Sequence, residues 1–323
     1  WFDQVFRRNA PIQNYDLSVS GGNERTRFFI SGTYFDQQGI VIASRFRRIT
    51  GRFNLEHKVN DRFRIIGGMN IVRALNDRIV SDNTLVGPFA NAIAAAPTWP
   101  VFDAVGRYTR PQNFYTNPVA EALENDNFNG NYRMLGNVTG VYEIIPGLNL
   151  NARVGIDLFN LRQRSFTGFN YLGSSARNQF GTVIESSSQV TKWMVETFAT
   201  YDKQINNDLI INTLLGYSAE RNKEEYNRTD AQGFPGSGFR FAGNAATVNR
   251  TGGLAGGGFT EWGLYSVFSR LRVSFRDKIT LEGAIRADGS SRFGANNRVG
   301  YFPSVSANWR LHREAFLENL AFI

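Results

Sequence analysis

The residues that most often do acid–base or nucleophilic chemistry form no recognisable catalytic constellation in this chain. The chain has two histidines, His57 and His312, and no cysteine. A Ser-His-Asp triad needs a positioned base with a carboxylate behind it, and neither histidine has such a partner in a recognisable motif. The lack of cysteine excludes disulfides, thiolate metal sites and thiol nucleophiles. The sequence therefore indicates that the protein is not an enzyme.

One polar stretch has some features of a calcium loop. Residues 125–131 read NDNFNGN and place Asn125, Asn127, Asn129 and Gly130 at suitable offsets. The first position lacks its aspartate, however, and Gly136 stands where a bidentate glutamate would complete the site. We therefore expect no cofactor and no metal, with calcium in this loop as the alternative.

Most charged residues instead alternate with apolar ones in long segments. In residues 148–159, for example, a run of Leu, Ala, Val and Ile alternates with residues that include Arg153 and Asp157. Such a period of two is typical of strands with one apolar and one polar face. About eleven such strands follow one another, with short turns and longer loops in strict alternation.

The length of these strands favours a membrane barrel over a soluble β-sandwich. Sandwich strands are about five or six residues long, whereas a bilayer takes about 9–11 tilted residues. From the third strand onward the apolar faces contain no Asp, Glu, Lys or Arg, as expected if a charge at the bilayer midplane costs about 2–4 kcal/mol. Aromatic residues such as Tyr142, Tyr217 and Trp309 lie near the ends of these faces, where interfacial girdles form. The sequence predicts an all-β, antiparallel transmembrane β-barrel with long extracellular loops.

Composition excludes two other classes of protein. The chain has no apolar run of about 18 residues, so the sequence predicts no transmembrane helix. Its formal net charge is +8, which could indicate nucleic-acid binding. The arginines are spread over nearly every strand and loop, however, which is typical of a polar sheet face, and we expect no nucleic-acid partner.

Two sets of residues are candidates for contact with a solute. The first set consists of charged residues on the polar strand faces, which we predict to line the lumen: Arg153, Asp157, Glu196, Arg270, Arg272, Glu282 and Arg286. The second set consists of aromatic residues in the first and third long loops (residues 75–131 and 222–260), since binding residues are often carried by loops on a rigid scaffold. These predicted substrate-binding residues are Trp99, Phe102, Tyr108, Phe114, Tyr115, Phe234, Phe239 and Phe241.

Several long motifs resemble a known family. The run ADGSSRFG followed by GYFPSVSANWR, within residues 287–310, resembles the signature of SusC/RagA-type TonB-dependent transporters. Residues 15–41, YDLSVSGGNERTRFFISGTYFDQQGIV, are similar to the first barrel hairpin of that family. Residues 94–108 and 117–123 resemble its long loop between early strands, and the likeness covers essentially the whole chain.

The resemblance implies a fold, a location and partners. Members of the family form 22-stranded barrels in the bacterial outer membrane, closed by an N-terminal plug. They import glycans or oligopeptides with energy from TonB, ExbB and ExbD, under a SusD-like surface lipoprotein that acts as a lid. Contact with outer-membrane lipid is implied as well.

The same resemblance predicts that residues 1–323 are a partial barrel domain of a longer chain. The TonB box, the plug and the C-terminal strands of the family are absent from it, so TonB would be reached through a segment outside this chain. Unpaired strand edges in lipid cost several kcal/mol per backbone group, so a sheet of about eleven strands needs further strands for closure.

Two alternative functions remain open at this stage. A passive outer-membrane porin would have similar strands but no plug, and a structural or adhesin β-protein of the envelope would not transport. One local feature also needs explanation: Pro303 lies on the lipid-facing phase of the last strand and removes a ladder donor, which predicts a bulge or a broken hydrogen bond there.

Overall fold

A computed structural model describes residues 1–79, 87–110, 116–249 and 256–314 of the chain. Within these ranges the fold is an all-β, antiparallel sheet with three short helices. The helices are α1 (Phe2–Val5), α2 (Pro88–Ala94) and α3 (Pro118–Glu124). None of the helices in this part of the chain is both long enough and apolar enough to cross a membrane.

Twelve strands form one sheet in the described ranges. They are β1 (Ile12–Gly22), β2 (Thr26–Gln38), β3 (Arg45–Lys58), β4 (Phe63–Arg78), β5 (Asp126–Ile145), β6 (Leu148–Thr167), β7 (Thr182–Gln204), β8 (Leu209–Gln232), β9 (Thr247–Asn249), β10 (Gly256–Phe275), β11 (Ile279–Ser290) and β12 (Val299–Trp309). Consecutive strands pair in chain order from β1 to β12, except that β10 follows β8 and β9 pairs with the end of β8. The two end strands, β1 and β12, do not pair with each other, so the described sheet is open.

The predicted alternation of short and long connections is confirmed. Short turns at residues 23–25, 59–62, 146–147, 205–208 and 276–278 lie at one end of the sheet. The connections at the opposite end are longer and carry α2, α3 and β9. This arrangement is typical of outer-membrane barrels, whose short turns face the periplasm and whose long loops face outward.

The strands are longer than the sequence predicted, and β9 was not predicted. The second long loop spans residues 168–181, and β8 and β10 extend into the predicted third loop, residues 222–260. Above the apolar region both faces of these strands are polar. The alternation of apolar and polar residues therefore ends before the hydrogen bonding between the strands ends. Three residues, the length of β9, are too few to show a period.

One face of the sheet exposes large apolar side chains. Leu215 is 63% exposed and Val305 is 88% exposed, and both lie on the face predicted to contact lipid. Soluble proteins rarely leave contiguous apolar surface of this extent uncovered. The buried clusters lie instead at the long-loop end: one around Phe166 and Val183, the other around Val5 and Val119.

The bulge expected at Pro303 is absent. Pro303 pairs with Ile285, and the register between β11 and β12 continues without a shift. Proline is accommodated on an edge strand when its nitrogen points away from the neighbouring strand, and β12 is the last strand of the described sheet. The pairing with Ile285 keeps Pro303 on the apolar face, as predicted.

Candidate functional site

The predicted lumen-lining residues of β6 and β7 form ion pairs across the polar face of the sheet. Arg153 lies 3.4 Å from Glu196 (Nη1 to Oε2), on the neighbouring strand. Asp157 accepts two hydrogen bonds from Arg133 of β5, at 2.9 and 2.6 Å. The bidentate geometry is the strong form of such a pair.

The remaining predicted lumen-lining residues form a second group on β10 and β11. Arg272 donates to Glu282 Oε2 at 2.7 Å, while Nε of Arg270 lies 4.0 Å from the same oxygen. Arg286 donates to Asp288 at 2.6 Å and to the buried Ser266 hydroxyl at 2.7 Å. All seven residues thus lie on the polar face and pair with charged neighbours.

A cavity of about 330 Å³ opens on this polar face around Gly155. Gly155 has no side chain, and Met194 Cε is the nearest atom that a Cβ there would meet, at 3.7 Å. Arg153, Asp157 and Lys192 line the cavity together with Glu220, to which Lys192 Nζ is joined at 2.8 Å. Charges of both signs around this cavity can bind a polar or zwitterionic solute but offer no nucleophile.

Sequence reasoning missed Arg133, Lys192 and Glu220 as members of this site. Lys192 of β7 and Arg133 of β5 alternate in the sequence with the apolar residues of their strands. Their positions in this alternation could have identified them as residues of the polar face. Glu220 lies beyond the segment of β8 in which apolar and polar residues alternate. Only the pairing of β8 with β7, which continues past this segment, shows that Glu220 faces the cavity.

The first-loop aromatics lie at the long-loop end, partly exposed. Trp99 and Phe102 are each about half exposed, and the Phe102 and Tyr108 rings are 4.9 Å apart. Tyr108 packs against the cluster around Val119, and burial raises the pKa of its hydroxyl. Of the predicted substrate-binding residues, Phe114 and Tyr115 lie outside the described residues.

The third-loop aromatics contact the other side of the sheet. Phe234 is only 4% exposed and packs edge-on against Phe166, with ring centroids 5.2 Å apart. The Phe241 ring lies 4.3 Å from the guanidinium carbon of Arg164. Phe166 and Arg164 share the phase of the apolar face, so this loop packs on the outer side. Phe239 is exposed.

The segment considered for calcium does not form a loop. Asp126–Asn131 begin β5, and Asn125 Oδ1 accepts hydrogen bonds from the Gly168 amide and the Tyr171 hydroxyl. This extended backbone differs from the tightly turned backbone of a calcium loop. Across the described ranges, no group of three or more His, Asp or Glu side chains has metal-binding geometry.

The two histidines have separate surroundings. Nδ1 of His57 lies 2.8 Å from the Thr26 hydroxyl on the neighbouring strand, near a short turn. His312 lies in the turn Leu311–Arg313 after β12.

Glu121 is a buried carboxyl that the sequence did not single out. It lies in α3, is 4% exposed, and accepts a hydrogen bond from Asn125 Nδ2 at 2.6 Å. Burial raises its pKa to about 7, against weaker lowering by hydrogen bonds from Thr116, Tyr171 and Asn125. No sequence signal distinguishes it from an exposed helical glutamate.

Comparison with known proteins adds an independent line of information. The chain is 28% identical to TonB-dependent receptor P26 of Formosa agariphila over 328 residues, 99% of this chain and 32% of that protein. It is 27% identical to TonB-dependent receptor SusC of Bacteroides thetaiotaomicron, over 99% of this chain and 33% of that protein. The chain is a relative of the SusC/RagA-type TonB-dependent receptors. It spans about a third of the length of these curated relatives.

Solved structures agree on the fold. The RagAB peptide importer in its open-open state matches with a TM-score of 0.80 at 24% identity, over 98% of this chain and 35% of that chain. The ferric citrate transporter FecA matches with a TM-score of 0.54 at 8% identity, over 94% of this chain and 40% of that chain. No protein-family model matches the chain. These relatives are receptors and transporters rather than enzymes, and the chain is accordingly an outer-membrane β-barrel protein.

Proposed function

We propose that this chain forms part of the wall of a TonB-dependent importer, which carries a glycan or an oligopeptide across the bacterial outer membrane. The observation that carries the proposal is the division of one sheet into two surfaces. One face exposes apolar side chains to lipid, and the other carries cross-strand ion pairs around the Gly155 cavity. Kinship with TonB-dependent receptors supports the same function.

Residues 1–323 are, in this proposal, a partial barrel domain of a longer protein. The open described sheet supports this, since strand edges exposed to lipid cost several kcal/mol per unpaired backbone group. Further strands close the barrel and a plug fills it. The importer draws energy from TonB, ExbB and ExbD through a segment outside this chain.

A SusD-like lipoprotein covers the long-loop end, and the solute meets the first-loop aromatics before the polar face. Trp99 and Phe102 offer exposed rings that suit sugar rings or apolar peptide side chains. The Gly155 cavity, with Arg153 and Lys192 beside Asp157 and Glu220, suits the charged amino and carboxyl termini of a peptide. RagAB, which has the same fold, is described as a peptide importer.

The experiment measures uptake of labelled oligopeptides and labelled oligosaccharides in cells with and without the complete gene. We expect uptake that requires the gene and stops when an uncoupler collapses the proton motive force. Arg153→Gln should reduce uptake severalfold, whereas Arg62→Gln, in an exposed short turn, should not. Uptake that continues after uncoupling would indicate a passive porin, and no gene-dependent uptake would favour a structural or adhesin role.

Co-purification tests the lid. The complete protein, extracted in detergent, should carry a surface lipoprotein encoded beside it, and deletion of that lipoprotein should lower uptake. If the lipoprotein neither co-purifies nor affects uptake, the proposed partnership is wrong, while the import proposal is still decided by the uncoupler experiment.

A further inference from the structure

On the apolar, outer face of the sheet, four strands carry an arginine as the first charged residue above the apolar region. Following β3, β4, β6 and β8 toward the long-loop end, the first charged residue beyond the apolar run is Arg47, Arg73, Arg162 and Arg221, respectively. These residues lie on the outer side of the sheet, opposite the polar face. A transported solute inside the barrel cannot contact them.

Three of these arginines lie close together, and we call Arg47, Arg73 and Arg162 the outer-wall basic patch. Arg73 pairs directly with Tyr132 of β5. Arg162 pairs with Gly130, two residues beyond Tyr132, and Arg47 pairs with Leu75, two residues beyond Arg73. Directly opposed side chains on neighbouring strands have Cβ atoms about 4.5–5.5 Å apart and diagonal neighbours about 7–8 Å, so the long arginine side chains on three of these four adjacent strands can reach one large ligand.

Two of the three charges of the patch have no acidic partner in the described ranges, whereas Arg47 lies between Asp77 and Asp36, the residue opposite it on β2. In the part of the chain that the structure describes, Arg73 and Arg162 are exposed and have no acidic partner. Arg47 reaches Asp77 only at 3.4 Å, and its Nε is buried without a hydrogen-bond acceptor. Neighbouring arginines differ: Arg45 is paired with Asp36, and Arg164 donates to Asp126 at 2.6 Å.

The position of the patch indicates what it binds. Tyr132, half exposed beside Arg73, marks the interfacial level at which aromatic girdles form. The apolar side chains on one side of this level face the lipid tails, so the arginines on the other side lie at the height of the lipid headgroups. Planar guanidinium groups bind phosphate oxygens in pairs, and clustered basic residues beside a membrane attract anionic headgroups.

We propose that the outer-wall basic patch binds the phosphate groups of lipopolysaccharide in the leaflet around the long-loop end of the barrel. The two unpaired arginines and the partly paired Arg47 hold phosphates, while Tyr132 contacts the adjoining sugar and acyl region. The inference rests on the outer-membrane location and on the outward orientation of the long loops. It does not depend on which solute is imported.

The test uses the complete protein in detergent, titrated with lipopolysaccharide and followed by native mass spectrometry. The variant carries Arg47→Gln, Arg73→Gln and Arg162→Gln. The matched control carries Arg48→Gln, Arg52→Gln and Arg78→Gln, which remove the same charge from the opposite face of β3 and β4. We expect the patch variant to bind roughly a hundredfold more weakly and the control to stay within about twofold of the parent protein.

Two probes distinguish the source of the phosphate. Enzymatically dephosphorylated lipopolysaccharide should bind the parent protein about as weakly as intact lipopolysaccharide binds the patch variant. Inorganic phosphate should not displace the lipid at millimolar concentration. Full displacement by inorganic phosphate would overturn the lipid assignment, and equal binding of dephosphorylated lipid would show that the apolar contacts act alone.

Equal loss of affinity in the patch variant and the control would also overturn the proposal, because it would show a general charge effect. Folding of each variant is checked by the heat-dependent shift of barrel proteins in gel electrophoresis. If the triple variant fails to fold, the single variants Arg73→Gln and Arg162→Gln break no described ion pair and should each weaken binding severalfold. Unchanged affinity in both folded single variants would contradict the proposal.

Discussion

At the scale of single residues, Glu121 shows how burial changes a side chain's chemistry. Its carboxyl joins α3 to the second loop, because its partner Asn125 also accepts a hydrogen bond from the Tyr171 hydroxyl. The charged form is disfavoured in this dry position, so the pKa rises from its ordinary value of 4.5 to about 7. The group therefore titrates near neutral pH, in the extracellular part of the protein.

Protonation of Glu121 should stabilise the joint between α3 and the second loop. Between pH 4.5 and about 7 the folded joint binds more protons than the unfolded one, so the free energy of local unfolding falls as pH rises through this window. Below the window the stabilisation is fully present, and above pH 7 it is lost. Hydrogen exchange of the Ala120 and Val119 amides, corrected for the intrinsic rate, should show this loss of protection. Glu121→Gln should remove the pH dependence.

Glu24→Gln, in an exposed short turn, serves as the control and should leave the pH profile unchanged. A Glu121→Gln protein that keeps the full pH dependence would assign the effect to another group.

At the scale of elements, α3 depends on its first residue and its packing. A helix of seven residues is marginal by itself. The Asn117 side chain is buried; its oxygen accepts from the Val119 and Ala120 amides, and its nitrogen donates to the Val101 and Thr109 carbonyls at 2.8 and 3.1 Å. The Asn117 side chain therefore both caps the helix and attaches it to the preceding part of the first loop, at Val101 and Thr109.

Asn117→Ala should cost roughly 1–2 kcal/mol of local stability, because the cap is lost and the part-buried Val101 and Thr109 carbonyls lose the Asn117 amide as a donor. The measurement is hydrogen exchange of α3 in the complete protein, with the strands as internal reference. Asn178→Ala, at an exposed position in the second loop, is the matched control. If both variants exchange at the same rate as the parent protein, the cap does not stabilise α3.

At the scale of the whole molecule, the sheet separates two solvents. Neighbouring residues of β12 illustrate this: Val305 points to the apolar face and pairs with Gly283, whereas Ser304 points to the polar face and pairs with Ala284. Both are exposed in the described sheet. Because lipid lies on one side and water on the other, the same substitution should cost far more stability on the apolar face than on the polar face.

Val305→Arg should destabilise the complete protein in lipid vesicles by about 2–4 kcal/mol, because the charge enters the bilayer. Ser304→Arg places the same charge one residue away, toward the lumen, and should change stability far less. Urea-induced unfolding in vesicles measures both. Equal destabilisation by the two substitutions would show that the faces are wrongly assigned.

The sequence by itself determined the faces of the strands, the alternation of turns and loops, and the kinship with TonB-dependent receptors. The physical reason is that lipid and water impose a period of two over each membrane-crossing segment, which is visible without any tertiary contact. The start of α3 follows a similarly local rule, since Asn117 caps the helix and Pro118 occupies its first turn.

Only the tertiary structure decided which charges pair, where the third loop packs and which carboxyl is buried. Arg153 could meet any neighbour until the register placed Glu196 beside it, and Phe234 could be exposed until it packed against Phe166. Above the membrane, water contacts both faces of the strands and the periodic signal ends. Contacts between distant loops, such as those around Glu121, then depend on how the sheet brings the loops together.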